Sequence, residues 1–301
     1  MSIDTDTMID RRRLKRRLFF WRLVALIAVI VAGVLVFSDF GEPSDEDHIA
    51  RLDVANVIVE NELRQTAIEG LLKNDNVKAV IVYINSPGGS TYGSERLYKS
   101  LRRVAAKKPV VAVIGTIGAS GGYLPALAGD RIFAGESSIT GSIGVIVQLT
   151  EFSSLLDKIG VTASAITSGE LKGEPSPFKP ITDAGRKNLQ DMVTQTHDWF
   201  VNLVAERRPI SHDEAAALAN GGVLIGLSAV KVGLVDELGG LLEARTWLES
   251  EREIPSSLPL ITVNYSEPKG LLEHLFQASL GKSVISERLT LDGLVSLWHL
   301  N

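Results

Sequence analysis

Two glycine-containing motifs in this chain have the residue types of a hydrolytic site. NSPGG (residues 85–89) follows the apolar run Ala79–Ile84, and GASGG (118–122) follows Val110–Ile114. A serine among small residues at a strand-to-helix turn is typical of a nucleophile elbow, and it would sit where a helix N-terminus favours negative charge. Glycines after a strand let backbone N–H groups approach a ligand and stabilise an oxyanion. Each motif alone is also compatible with a tight turn or a serine N-cap, but the pair predicts acyl transfer with Ser120 as nucleophile.

A nucleophilic serine needs a base, and histidine is scarce in this chain. The nearest downstream histidine, His197, lies 77 residues after Ser120 within a predicted helix, where a helix-surface or packing role is the simpler interpretation. Lysine can serve as the base when burial disfavours its ammonium form. Lys172 stands in the glycine- and proline-punctuated segment SGELKGEPSPFK, with Lys179 as its rival. The ordinary alternative for either residue is a solvated loop lysine.

Apolar runs that alternate with helical patterns predict the elements that position these motifs. The predicted strands are Val54–Val59, Ala79–Ile84, Val110–Ile114, Arg131–Ala134 and Val161–Ile166. The predicted helices are Glu62–Lys73, Tyr92–Ala106, Asp183–Glu206 (with Thr182 or Asp183 as N-cap), His212–Ala219 and Leu241–Ser250. This order predicts an α/β fold with a parallel sheet covered by helices on both faces. Both motifs then lie at carboxyl ends of strands, where such sheets bind ligands.

The N-terminal stretch has the pattern of a membrane anchor. Leu18–Phe37 is an apolar run of 20 residues whose one charge is Arg22. At about 1.5 Å per residue it would span a hydrocarbon core of about 30 Å. The basic flank RRRLKRR predicts a cytoplasmic N-terminus and a catalytic body outside the cytoplasm, at the periplasmic face. A cleaved signal peptide is the alternative, although no small-x-small cleavage site follows the run.

The predicted organisation is a basic tail (1–17), the anchor (18–37), a linker (38–47), a catalytic body (48–250) and a C-terminal extension (251–301). Within the extension, Gly270–Asn301 carries apolar residues on one helical face, which predicts a core or oligomer contact or, as an alternative, a second membrane contact.

Composition excludes several classes of protein. The chain has no cysteine, which excludes disulfides, zinc-thiolate sites, iron–sulfur clusters and a cysteine nucleophile. No two of its five histidines have metal-ligand spacing, so neither a metal nor an organic cofactor is expected. The net charge is −5 despite the basic N-terminus, and an acidic body argues against nucleic acid as a partner.

The motifs together resemble a known family. NSPGG, GASGGY, TGSIGV (140–145), a lysine 52 residues after Ser120 and GLVDELGG (Gly233–Gly240) are similar, in order and spacing, to the S49 family of serine proteases. This is the signal peptide peptidase A group, related in fold to the Clp protease and crotonase group. The resemblance covers about Asp53–Gly240 and implies a Clp protease/crotonase-like fold.

The resemblance also implies roles for matching positions. Ser120 matches the nucleophile, Lys172 the general base, Ser142 a hydroxyl that orients the lysine amine, and Gly88 or Gly89 with Gly121 the oxyanion hole. Short members of the family form ring-like homo-oligomers in which the serine and lysine of one site come from neighbouring subunits. The implied substrates are cleaved signal peptides at the membrane. The alternatives are a related protease that clips a specific membrane protein and a non-catalytic oligomeric scaffold.

Overall fold

The computed structural model describes residues 17–28 and 46–265, together with the backbone of residues 295–297. The chain divides into two compact units. One comprises Met1–Asp45 with Ser266–Ser279, and within it the described residues 17–28 form helix α1. The other comprises Glu46–Tyr265 with Leu280–Asn301 and contains all the motifs discussed above.

Helix α1 falls on the first part of the predicted membrane anchor. Its large apolar side chains, among them Phe19, Phe20 and Trp21, are exposed. The rest of the predicted anchor (29–37) lies outside the described residues, as does most of the predicted helical face in Gly270–Asn301. Across the part of the chain that is described, no helix has both the length and the apolar content needed to cross a membrane.

The second unit alternates strands and helices. Its strands are β1 (His48–Ala55), β2 (Val77–Ser86), β3 (Gly88–Ser90), β4 (Val110–Ala119), β5 (Arg131–Ala134), β6 (Ile139–Gly141), β7 (Val223–Ile225), β8 (Glu237–Leu238), β9 (Leu260–Thr262) and β10 (Val295–Leu297). Its helices are α2 (Glu62–Lys73), α3 (Thr91–Ala105), α4 (Leu124–Leu127), α5 (Ser153–Lys158), α6 (Asp183–Arg207), α7 (His212–Leu218), α8 (Gly226–Lys231) and α9 (Leu241–Arg252). All five predicted helices are confirmed to within two residues at their ends, and Thr182 caps α6 by accepting the Gly185 N–H at 3.0 Å.

The main sheet has the order β7-β6-β4-β2-β1-β9, and β5 pairs with both β4 and β8. Its pairs are parallel except for β6 and β7, which are antiparallel, so the predicted all-parallel sheet is corrected to a mixed one. Both faces are covered. Val80, Val82 and Ile84 of β2 pack in the cluster that includes α2, α3 and α6, whereas Ala79 and Ile81 pack with α9. This alternation is the two-residue period of a strand buried on both sides.

Two predicted strands differ from the structure: one has other bounds, and the other is not a strand. The first strand begins at His48 rather than Val54, because Arg51 and Asp53 form an ion pair at 2.6 Å and are tolerated within it. Val161–Ile166 is not a strand, although its β-branched residues favour one. Its residues are exposed, and the Ile166 side chain is fully so. Strand propensity has its effect through packing against neighbours, and within the described residues this segment pairs with none.

Candidate active site

Ser120 lies at the carboxyl end of the central strand β4, in a sharp turn. The strand ends at Ala119, residues Ser120–Gly122 form one 3₁₀ turn, and α4 follows. The backbone of Ser120 is left-handed, with φ of 55°, and the residue is almost completely buried. For a non-glycine residue this conformation costs about 1–3 kcal/mol, and it persists where the surrounding structure imposes it. Ser120 therefore has the strained strand-to-helix geometry of a nucleophile elbow.

The sheet register brings Ser142 beside Ser120. Strand β6 runs parallel to β4, with Gly141 opposite Ala119, and each serine is the residue that follows one member of this pair. Neighbouring strands lie about 4.8 Å apart, so the two serines follow adjacent positions at one edge of the sheet. Ser142 is also left-handed, with φ of 50°. Thr140, two residues earlier, binds the two strand ends together by donating its hydroxyl to the Gly118 carbonyl at 2.8 Å.

The third element at this edge is the turn after β2. Ser86 lies opposite Gly118 in the register, and Gly88 follows with φ of 117°, a conformation that favours glycine. The N–H of Gly88 donates to Ser86 Oγ at 3.2 Å. A Cβ on Gly122 would lie 3.3 Å from the nitrogen of Gly88, so the NSPGG turn contacts the turn that carries Ser120. The two motifs that sequence predicts to form one site are therefore in contact.

The buried residue Tyr123 stabilises the turn that contains Ser120. The Tyr123 N–H donates to the Ser120 carbonyl at 2.9 Å, and the Tyr123 hydroxyl donates to the carbonyl of Leu234. Burial raises the pKa of the Tyr123 phenol well above its ordinary value, so the group remains a donor across the working range of an enzyme. Leu234 belongs to the GLVDELGG segment, which thus anchors the turn that follows Ser120.

Ser120 and Ser142 line one cleft of about 370 Å³. His197 of α6 lines it too, as do Ala219, Asn220 and Gly221 from the turn after α7. The prediction that His197 is a helix-surface or packing residue is incomplete, because its side chain lines the same cleft as the two serines. A separation of 77 residues along the chain conceals this proximity, and no motif in the sequence signals it.

The two candidate lysines lie elsewhere. Lys172 is exposed, in a turn where its N–H donates to the Gly169 carbonyl at 3.0 Å, and it is not among the described residues that line the serine cleft. Lys179 lies 2.6 Å from a carboxylate oxygen of the buried Glu174 and lines a different cleft. The ion pair with Glu174 and the position in a different cleft separate Lys179 from Ser120 within the described residues of one chain. Burial favours the neutral amine of a lysine, which is the form that can accept a proton, and within one chain Lys172 is exposed.

The segment that carries Lys172 exposes an unusual amount of apolar surface. We call residues 146–178 the lysine arm. Its exposed large apolar residues are Ile146, Leu149, Phe152, Leu155, Ile159, Val161, Ile166, Leu171 and Phe178. Exposed apolar side chains at this density along one segment are suited to packing against another surface.

Strand β3, the glycine strand beside Ser120, pairs with an extended segment of the chain. The backbone of β10 runs antiparallel to it, with Ser296 opposite Gly89 and Leu297 opposite Gly88. This edge can therefore bind an extended peptide by main-chain pairing next to the candidate nucleophile. Within the described residues, no three side chains of His, Asp and Glu converge as metal ligands would.

The fold and the paired motifs define a Clp protease-like α/β protein, and the family model described as Clp protease matches residues 53–139. The family model described as Peptidase family S49 matches residues 102–255, about half of the chain. A Methanocaldococcus jannaschii protein named as a protease is 36% identical over 219 residues, 72% of this chain and 70% of that protein. A Synechocystis protein also named as a protease is 33% identical over 235 residues, 77% of this chain and 84% of that protein. The chain therefore belongs to peptidase family S49.

A third relative carries a more specific name. An Enterococcus faecium protein named for signal peptide peptidase SppA is 36% identical over 192 residues, which are 63% of this chain and 55% of that protein. The resemblance stated from the motifs is thus confirmed at the level of the family. The roles of the individual residues are the subject of the proposal that follows.

Proposed function

We propose that this chain is a serine endopeptidase in which Ser120 is the nucleophile and Lys172 the general base. The observation that carries the proposal is the pairing of Ser120 and Ser142 at the ends of adjacent parallel strands, both left-handed, in one cleft. Ser142 orients the lysine amine. The N–H of Gly121 binds the oxyanion together with that of Gly89, or with that of Gly88 once it is released from Ser86 Oγ.

The chemistry follows the general scheme of serine acyl transfer. The neutral Lys172 amine takes the hydroxyl proton of Ser120 while Oγ attacks the peptide carbonyl carbon. The oxyanion of the tetrahedral intermediate accepts hydrogen bonds from the glycine N–H groups. The Lys172 ammonium then protonates the leaving amine, the C–N bond breaks, and an acyl-enzyme remains on Ser120. Water, deprotonated by the same lysine, hydrolyses this ester and restores Ser120.

The lysine reaches the serine cleft from a neighbouring subunit. Two features support this step: Lys172 is solvent-exposed in its own chain, and the lysine arm around it exposes apolar surface. Packing the arm against a second copy would bury that surface and desolvate the lysine, which is what turns an ammonium into a base. A head-to-tail contact of this kind generates a ring when the rotation between neighbours closes, which is the assembly we propose.

The substrates we propose are cleaved signal peptides at the extracytoplasmic face of the membrane. The sequence pattern of residues 18–37 supports an anchor there, and the name of the Enterococcus faecium relative supports the substrate class. The antiparallel pairing of β3 with the extended segment β10 supports binding of an extended peptide at this edge in place of β10. A protease that clips one particular membrane protein, and a non-catalytic oligomeric scaffold, are the competing functions.

The test uses the full chain in mild detergent and a fluorogenic peptide with a signal-peptide-like apolar core. Wild type, Ser120→Ala and Lys172→Ala are assayed together with Lys158→Ala, which removes another exposed lysine of the same arm. We expect Ser120→Ala to lose essentially all turnover, Lys172→Ala to lose about 10²–10⁴-fold, and Lys158→Ala to match wild type. Oligomer size is measured for each variant.

Other outcomes contradict parts of the proposal. Near-normal activity of Lys172→Ala in an intact assembly would overturn the assignment of the base. Activity in Ser120→Ala would overturn the nucleophile. An assembled but inert wild type would favour the scaffold, whereas cleavage of one captured membrane protein, but not of the peptide, would favour the specific protease.

A further inference from the structure

His197 makes a specific hydrogen bond at the candidate site. Its Nε2 lies 2.7 Å from the carbonyl oxygen of Ala219, the residue directly after α7. A carbonyl only accepts, so Nε2 carries the proton and donates it. The side chain of one helix is thereby tied to the end of another, at the wall of the cleft that contains Ser120 and Ser142.

The turn after α7, residues 219–222, contacts both His197 and the backbone at Ser142. The Ser142 N–H donates to the Gly222 carbonyl at 2.7 Å, and the Gly221 N–H donates to the Ile143 carbonyl at 3.1 Å. The turn is braced from inside, because the Asn220 side chain accepts the Gly222 N–H at 2.8 Å. Gly222 therefore binds the Ser142 N–H, and Gly221 binds the carbonyl of the next residue, Ile143.

These hydrogen bonds matter because Ser142 has a left-handed backbone conformation. A serine with φ of 50° keeps that backbone only where its surroundings impose it. The hydrogen bonds of Gly221 and Gly222 impose the Ser142 conformation. The positions of these two glycines depend in turn on where Ala219 is fixed. The chain of contacts runs from the His197 imidazole through the Ala219 carbonyl and the turn to the Ser142 main chain.

We propose that His197 is a positioning residue for the reaction: it fixes the 219–222 turn, which sets the Ser142 hydroxyl at the angle needed to orient the lysine amine. This inference rests on the proposed function and deepens it. A misplacement of about 1 Å at a catalytic group can lower the rate about 10²-fold, so a contact one step removed has a measurable effect.

The kinetic test compares His197→Ala, His197→Gln and Ser142→Ala in the full chain, with the fluorogenic peptide as substrate. We expect His197→Ala to lower kcat by about 10- to 100-fold with little change in KM. His197→Gln restores most of kcat, because its amide N–H reaches the Ala219 carbonyl but cannot act as a base. His212→Ala, an exposed histidine of α7, is the matched control and should match wild type.

A double-mutant cycle separates positioning from general support of the fold. If His197 acts through Ser142, His197→Ala combined with Ser142→Ala loses no more activity than Ser142→Ala alone. Losses that multiply would overturn the proposal. So would an unchanged kcat in His197→Ala, or a folded His197→Gln that fails to recover.

Hydrogen exchange of the backbone around residue 142 supplies a readout that needs no activity. We expect faster exchange at the Ser142 amide in His197→Ala, with protection recovered in His197→Gln and retained in His212→Ala. Unchanged exchange in His197→Ala would overturn the inference even if the enzyme proves inert. Conversely, faster exchange in a protein whose Ser120→Ala variant stays active would refute the proposed function and leave the contact chain standing.

Discussion

Gly122 and Ser86 are in such close contact that a Cβ on Gly122 would lie 2.4 Å from the Ser86 carbonyl oxygen. The contact joins the turn after the candidate nucleophile to the strand end before the NSPGG glycines. Because the opposing atom is backbone, nothing can rotate away to make room. This contact fixes the two proposed halves of the oxyanion hole relative to each other.

Gly122→Ala is therefore expected to remove activity and to destabilise the fold. One of the two backbone turns must shift, and losing one oxyanion donor costs about 10²–10³-fold in kcat. The measurements are kcat and the denaturant midpoint. Gly70→Ala is the control: its Cβ would meet nothing within 4 Å, and in the exposed helix position it should stabilise by about 0.5–1 kcal/mol. Wild-type kcat and stability in Gly122→Ala would contradict the prediction.

Ser86→Ala tests the internal bracing of the NSPGG turn. The buried Ser86 hydroxyl donates to the Asn56 carbonyl at 2.6 Å and accepts the Gly88 N–H. Its removal leaves the Asn56 carbonyl and the Gly88 N–H without this partner, which should lower the free energy of unfolding by about 1–3 kcal/mol. We also expect kcat to fall, because the NSPGG turn loses its internal hydrogen bond. Ser94→Ala is the matched control, since the buried Ser94 hydroxyl has no hydrogen-bond partner among the described residues. A Ser86→Ala effect no larger than that of Ser94→Ala would refute the assignment.

Mixing two inactive variants tests whether the site is shared between subunits. Ser120→Ala and Lys172→Ala are dissociated, mixed in equal amounts and reassembled. If each site takes its lysine from the neighbour, about a quarter of the sites combine an intact serine with an intact lysine. We therefore expect roughly a quarter of wild-type activity to return. No recovery in a mixed assembly, demonstrated by differential tagging, would mean that both groups must come from the same chain.

The pairing of β10 with β3 predicts competition between the C-terminal segment and substrate for one strand edge. Proline cannot donate a ladder hydrogen bond, so Val295→Pro with Leu297→Pro should free the edge. We expect KM for the peptide to fall by roughly 3- to 10-fold with kcat unchanged, since a larger fraction of sites is open. Ser296→Ala, which keeps its backbone N–H, should behave as wild type. An unchanged KM in the proline variant would exclude competition at this edge.

The sequence predicted the helices and the central strands well, because their apolar residues recur at the period of the element they form. Glu62–Lys73 was predicted at the bounds it has, and the apolar runs of β2 and β4 lie within strands buried on both faces. The prediction was wrong where local preference and burial disagree. Val161–Ile166 has the composition of a strand but is exposed, and β1 contains a charged pair that interrupts the apolar pattern.

By itself the sequence determined the family, through the order and spacing of its sheet-edge motifs, and the resemblance to that family gave the candidate residues Ser120, Ser142 and Lys172. Only the tertiary structure decided which residues meet. It brought His197 to the serine cleft and left Lys172 in solvent. The physical reason is that burial and long-range hydrogen bonds depend on how strands and helices pack. A local sequence pattern cannot indicate a contact between distant residues. Ala219, the hydrogen-bond partner of His197, lies 22 residues away along the chain.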